Sequence, residues 1–286
     1  MIRLLDISQT DIRDIFARSS PMEDVAAPVA AIIAAVRAEG DAALARYGAQ
    51  FDGVAPSPLQ VTAQELEEAM EQVEPRLLSV LKRAAANIRT FHQNQVRSSF
   101  LTSTGPGVIL GQKVMPIEKV GLYVPGGTAR YPSTVLMDAI PAKLAGCPDL
   151  VMVTPPGKDG KIPAPILAAA RVAGVDRIFK VGGAQAIAAL AYGTQSIPAV
   201  DKIVGPGNAF VAEAKKQVFG KVAIDMVAGP SEILIVSDGH SDPRYLAADL
   251  LSQAEHDKNA SAVLVTDSLP LAKAVQAELE RQIPAL

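Results

Sequence analysis

Gln253 and His256 stand three residues apart in the stretch LSQAEHD, residues 251–257. On a helix, positions i and i+3 share a face, so a carboxamide and an imidazole could converge on one point. Imidazole is a common zinc ligand and a glutamine oxygen a rarer one. Two side chains do not make a tight site, which uses three or four protein ligands. The alternative is a polar helix end, where His256 and Lys258 favour the negative end of the helix dipole. Ser231, in AGPSE, falls at a turn ahead of a strand, where it can bind a polar substrate group or cap the turn. Cys147 is the only cysteine. It could act as a thiolate nucleophile of the kind that aldehyde oxidation through a thioester requires. No histidine neighbours it in sequence, and a lone cysteine usually packs as a small apolar residue. The other two histidines, His92 in FHQNQVR and His240 in SDGHSD, read as solvated.

A second set of residues could hold a nucleotide. Three expected strand ends carry glycine: YVPGG at 123–127, VGGAQ at 181–185 and VGPGN at 204–208. Glycine lets a backbone approach a ligand closely. The helices that follow offer free N–H groups and partial positive charge to a pyrophosphate. VGGAQAIAA (181–189) and VGPGNAFVA (204–212) repeat one pattern, V-G-x-x-amide-A-apolar-apolar-A, one βα unit apart. Gln185 and Asn208 therefore enter their helices at equivalent points, and each could hydrogen-bond a ribose or phosphate without adding charge. No G-x-G-x-x-G is present, and any one of these turns could be only a tight βα connection.

The elements that must position these residues are legible in outline. The N-terminal third reads as helical. Ser20, Pro21 and Glu23 offer a capping box and a first-turn proline. Val29, Ile32, Ile33 and Val36 follow at helical spacing, with Gly40 as a stop or kink. Thr62 and Glu65 form a second capping box, and Pro75 divides the helical stretch after it. From Gly107 the pattern changes to strands rich in β-branched residues, GVILGQKVMPI and KVGLYVP. Thereafter strands and helices alternate through LVMVTP, RIFKVG, KIVGPG, SEILIVSD and SAVLVTD. Such alternation, with strands lacking polar positions, predicts a parallel sheet covered on both faces.

Composition narrows the function. The chain has 286 residues, is 49% hydrophobic and 20% charged, and carries a net charge of −3. That is an ordinary globular make-up, with no basic block to attract nucleic acid. No apolar run reaches membrane-spanning length. The N-terminal stretch MIRLLDISQTDIRDIF mixes charged and apolar residues and does not read as a signal peptide. One cysteine fits a reducing cytoplasm.

The blocks VGLYVPGGTARYPSTVLMDAIPAKLAGC, GGAQAIAALAYGT, DKIVGPGNAFVAEAKKQVFG, DMVAGPSEILIVSD and LLSQAEHD, in this order, resemble the histidinol dehydrogenase family over nearly the whole chain. The resemblance implies two Rossmann-like parallel-sheet α/β domains, one inserted into the other, with a helical N-terminal segment. Residues 1–122 with 232–286 would form the first domain, and 123–231 the inserted NAD-binding-like domain. It implies NAD contacts at Tyr123, Gln185 and Asn208, zinc ligands at Gln253 and His256 that also touch substrate, and a substrate-binding serine at Ser231. It further implies a cytoplasmic homodimer that uses NAD and Zn²⁺ to oxidise L-histidinol to L-histidine through the aldehyde, as the last step of histidine biosynthesis. The family's catalytic Glu-His pair and remaining zinc ligands fall beyond residue 286, so the chain is expected to be a shortened form without its own catalytic base. Other readings remain open: a related zinc- and NAD-dependent dehydrogenase acting on another polar alcohol, a non-catalytic NAD-binding or dimerising fragment, or a cysteine-dependent aldehyde dehydrogenase through Cys147.

Overall fold

The computed structural model describes residues 2–11, 13, 25–126, 131–227, 232–254 and 260–285. The chain divides into two compact units, Asp24–Val227 and Met1–Glu23 with Ala228–Leu286.

The larger unit is built on a five-stranded parallel sheet of β3 (Lys119–Tyr123), β4 (Asp149–Thr154), β5 (Arg177–Lys180), β6 (Lys202–Val204) and β7 (Ala223–Ile224), in the order β5-β4-β3-β6-β7. The chain therefore winds outward from β3 in one direction, then returns to its other side at β6. That doubly wound order places a switch point between β3 and β6. Crossover helices join the strands: α5 (Pro132–Leu144), α6 (Ala164–Ala173), α7 (Gly183–Tyr192) and α8 (Ala209–Val218).

Successive residues of a strand point to opposite faces, and here both faces are buried. Leu122, Leu150 and Met152 enter one apolar cluster, while Val151, Val153 and Ile203 enter the other. The early helices complete both layers. α1 (Ala26–Glu39) and α2 (Asp41–Tyr47) pack with α7 on one side. α3 (Ala63–Gln72) and α4 (Pro75–His92) pack with α5 and α6 on the other. With this burial, residues 26–122 fall in the same compact unit as the sheet.

Local signals account for the helix boundaries. Thr62 and Glu65 make the expected capping box, each side chain bonding the other's backbone N–H. Pro75 occupies the first turn of α4, and Gly40 (φ +59°) separates α1 from α2. The predicted helix start at Ser20, Pro21 and Glu23 lies outside the described residues. Residues 59–61 run along the outer edge of β5, with the Val61 N–H donating to the Ile178 carbonyl at 2.8 Å, which covers one sheet edge.

Two strand pairs lie outside this sheet. Val108–Gln112 is a strand, β2, but it pairs antiparallel with β1 (Phe100–Gly105) in a separate exposed hairpin. In the smaller unit, β8 (Glu232–Ser237) and β9 (Ser261–Thr266) pair in parallel, against α9 (Pro243–Ala254) and α10 (Leu269–Gln282). Ile233, Ile235 and Leu264 face the helices, whereas Leu234 and Val236 on the other face are 65% and 74% exposed. Among the described residues no helix is long and apolar enough to cross a membrane.

Candidate functional site

The C-terminal ends of β3, β4, β5 and β6 open onto one cleft of about 710 Å³, within the ordinary size of a small-molecule site. Gln185 and Asn208, read from the glycine turns, and Tyr123, implied by the family resemblance, all line it. They come from the ends of β3, β5 and β6, and the sheet order brings them together at the switch point.

Tyr123 ties two of the turns. Its hydroxyl accepts a hydrogen bond from the Gly183 N–H at 3.1 Å, and its ring is 4% exposed. Burial pushes its phenol up to about 12, so it stays neutral. On its backbone side Gly205, at φ +117°, lies against the Tyr123 carbonyl so closely that any Cβ would overlap it. Only glycine tolerates that conformation and that contact. Pro155, just after β4, packs against both Gly126 and Gly182, where a Cβ would also overlap. The floor of the cleft is thus bare backbone from two turns held on one proline ring.

Gln185 and Asn208 match in sequence but differ in helix phase. Asn208 is the N-cap of α8, and its Oδ1 accepts from the Val211 N–H at 3.1 Å. α7 begins three residues earlier relative to the shared pattern, at Gly183, which puts Gln185 inside its first turn. Gln185 is 1% exposed, and its Oε1 has no hydrogen-bond partner in the described structure. A buried carboxamide oxygen without a donor is costly, and this one belongs to a residue on the cleft wall. Together with the glycine floor it fits a polar ligand carrying donor groups, as a nicotinamide dinucleotide does.

Sequence reasoning missed several lining residues. Asp52 lies at the end of a short π-helical turn (Gly48–Asp52), and burial raises its carboxyl above the ordinary range. Phe51, next to it, stacks on Tyr47 at 5.5 Å between ring centroids. Pro155 and Lys158 follow β4. The strand-end position of TPP at 154–156 could have marked the last group. Nothing local marks Asp52, which arrives from a helix far back in the chain.

The remaining candidates resolve differently. Gln253 is half-buried near the end of α9. His256 and Ser231 lie outside the described residues. Among the described residues no cluster of three His, Cys, Asp or Glu side chains could hold a metal ion. Cys147 is 5% exposed within the apolar cluster beneath α5 and α6, the environment of a packing residue. His92 hydrogen-bonds Gln95 at 2.7 Å, and His240 is exposed.

The histidinol dehydrogenase family profile matches residues 17–286. The histidinol dehydrogenase of Lactiplantibacillus plantarum is 56% identical over 262 residues, covering 92% of this chain and 61% of the relative. That of Syntrophotalea carbinolica is 52% identical, covering 100% of this chain and 68% of the relative. The crystal structure of histidinol dehydrogenase from Elizabethkingia anophelis superposes with a TM-score of 0.87 at 39% identity, over 92% of this chain and 61% of that one. The chain thus spans about 61% of the length of the Lactiplantibacillus relative. On the family match, the sequence identity and the shared fold together, this chain belongs to the histidinol dehydrogenase family.

Proposed function

We propose that this chain carries the NAD site of an enzyme that oxidises L-histidinol to L-histidine through L-histidinal, the closing step of histidine biosynthesis. One observation carries the reading: Tyr123, Gln185 and Asn208 meet on one cleft at the C-terminal edge of a doubly wound parallel sheet, where open α/β sheets bind nucleotides. Bound NAD⁺ supplies the hydride acceptor. Gln185 orients it by engaging a donor group with its unpartnered Oε1. The glycine turns at 182–183 and 205–207 admit its phosphates close to backbone N–H groups. The buried, neutral Tyr123 keeps both turns in register.

The zinc proposal rests on the spacing of Gln253 and His256 and on the resemblance of LLSQAEHD to the family's zinc-binding motif. Zinc held there would act as a Lewis acid toward the substrate alcohol. Of the two ligands, Gln253 lies within the described residues and is half-buried. Ser231 is proposed to contact L-histidinol. A homodimer and a cytoplasmic location are proposed on the same resemblance.

Calorimetric titration with NAD⁺ tests the nucleotide site. Micromolar to millimolar binding is expected, weakened about tenfold in Gln185→Ala, the loss of one hydrogen bond to a buried group. Equal affinity in the variant would remove Gln185 from the site. Titration with Zn²⁺, comparing Gln253→Ala and His256→Ala with the parent, tests the metal pair, and unchanged zinc affinity in both would sink it. Incubation with L-histidinol, NAD⁺ and Zn²⁺, followed by NADH absorbance, separates nucleotide binding from turnover. Binding without NADH would leave a nucleotide-binding module, and turnover of another alcohol in place of histidinol would mark a different substrate.

A further inference from the structure

A group of charged side chains outside the cleft grips the turn that carries Asn208. Lys215, on α8 and with its side chain 3% exposed, donates from Nζ to the Gly205 carbonyl at 2.9 Å. The same ammonium pairs with Asp225, just after β7. The other Asp225 oxygen accepts from the Gly205 N–H at 2.9 Å. Both polar groups of one glycine are therefore held by one ion pair, three residues before Asn208.

Asp138, on α5, faces the same glycine. A Cβ built on Gly205 would lie 3.1 Å from Asp138 Oδ2. That oxygen is fully buried and has no hydrogen-bond partner. The charges acting on it are Asp225, which disfavours its ionisation, and Lys215, which favours it. The neighbouring faces of α4 and α6 present apolar residues such as Leu81, Ala85, Ile166 and Ala170. Among the described residues, an ionised Asp138 would thus find one ammonium already shared between Asp225 and a carbonyl, and no other cation acting on it.

We propose that Asp138 is a positioning residue for the nucleotide site, whose proton sets how firmly Lys215 and Asp225 hold the Gly205 peptide and so how well the β6–α8 turn presents Asn208. Protonated, it leaves the Lys215–Asp225 pair balanced. Ionised, it competes for Lys215 and repels Asp225, loosening the clamp. Burial first, and Asp225 second, push its carboxyl up to about 7, so this exchange falls in the neutral range. The proposal rests on the nucleotide reading above.

The test is NAD⁺ affinity of the 286-residue chain by calorimetry between pH 6 and pH 9, for the parent and Asp138→Asn. Reciprocal coupling of proton and ligand predicts a fall of roughly fivefold across this range in the parent and a flat profile in the variant. If NAD⁺ binds but the two profiles superpose, the proposal is overturned while the nucleotide site stands. If NAD⁺ binds neither protein at any pH, the nucleotide reading fails and takes the proposal with it. Should Asp138→Asn not fold, the parent alone still decides. Its binding enthalpy near pH 7.5, compared in two buffers of different ionisation heat, must show proton uptake. A buffer-independent enthalpy would overturn the proposal.

Discussion

The Tyr123 hydroxyl accepts a hydrogen bond from the Gly183 backbone N–H at 3.1 Å, across sixty residues of chain. The same residue's carbonyl abuts Gly205. One side chain and one peptide thus set the spacing between the two glycine turns that the candidate nucleotide site uses. The bond is local in space and remote in sequence, and it makes the turns a single unit.

Tyr123→Phe removes the hydroxyl that accepts from the Gly183 N–H. An unpaired buried donor costs about 1–2 kcal/mol. Urea denaturation should show a loss of that size with unchanged slope, and NAD⁺ affinity should fall as well. A variant with parental stability and parental affinity would mean that the hydroxyl does not hold the turn.

Gln185→Met should behave in the opposite way. The native carboxamide is 1% exposed and its Oε1 is unpartnered, so replacing it with an apolar side chain of similar volume relieves an unsatisfied polar atom. Thermal unfolding without ligand is expected at an equal or higher midpoint, together with weakened NAD⁺ binding. A clear drop in the midpoint would show that the oxygen is satisfied in solution.

At Gly205, any side chain meets both a left-handed φ of +117° and the Tyr123 carbonyl. Gly205→Ala is expected to destabilise the fold by about 3 kcal/mol or more, measured by chemical denaturation. Gly220 also has positive φ, +96°, but a Cβ there meets nothing within 4 Å. Gly220→Ala should therefore cost less, and equal losses at the two sites would show that overlap with Tyr123 adds nothing.

Glu65 joins a helix cap to the sheet. Its carboxylate accepts from the Thr62 N–H at 2.8 Å and from Lys180 Nζ at 2.8 Å, and the Lys180 side chain is 4% exposed. Glu65→Ala removes the reciprocal half of the capping box, worth about 1 kcal/mol, and strands a buried ammonium, for a total of about 3–5 kcal/mol. Glu65→Gln, which keeps an acceptor, should lose less. Burial alone would raise this carboxyl, but the bonds from Lys180 and Thr62 outweigh it and leave it below its ordinary value. A lowered folded value means that the stabilisation is complete above the unfolded carboxylate range and is lost as pH falls through the folded value. Unfolding midpoints between pH 3 and pH 6 should therefore drop more steeply for the parent than for Glu65→Ala. Parallel slopes would remove Glu65 from the acid sensitivity.

Much of this architecture was legible in the chain itself, because its causes are local. Thr62 and Glu65 cap a helix three residues apart, Pro75 opens one, and unbroken runs such as LVMVT read as strands buried on both sides. Glycine at strand ends marks the turns that carry Gln185 and Asn208, and the resemblance to the family adds Tyr123. What needed tertiary structure was everything set by distance along the chain. The strand order 5-4-3-6-7 carries those three residues to one edge. α1 to α4 close both faces of the sheet, and a turn near residue 50 delivers Asp52 to the cleft. The repeated pattern hid a three-residue shift in helix start that buries Gln185 and leaves Asn208 as a cap. Lys215, Asp225 and Asp138 meet around Gly205 from three separate elements. Periodicity and capping act over a few residues and leave a mark in sequence. The packing of remote side chains is decided by the closing of the core, where burial rather than spacing selects which groups must meet.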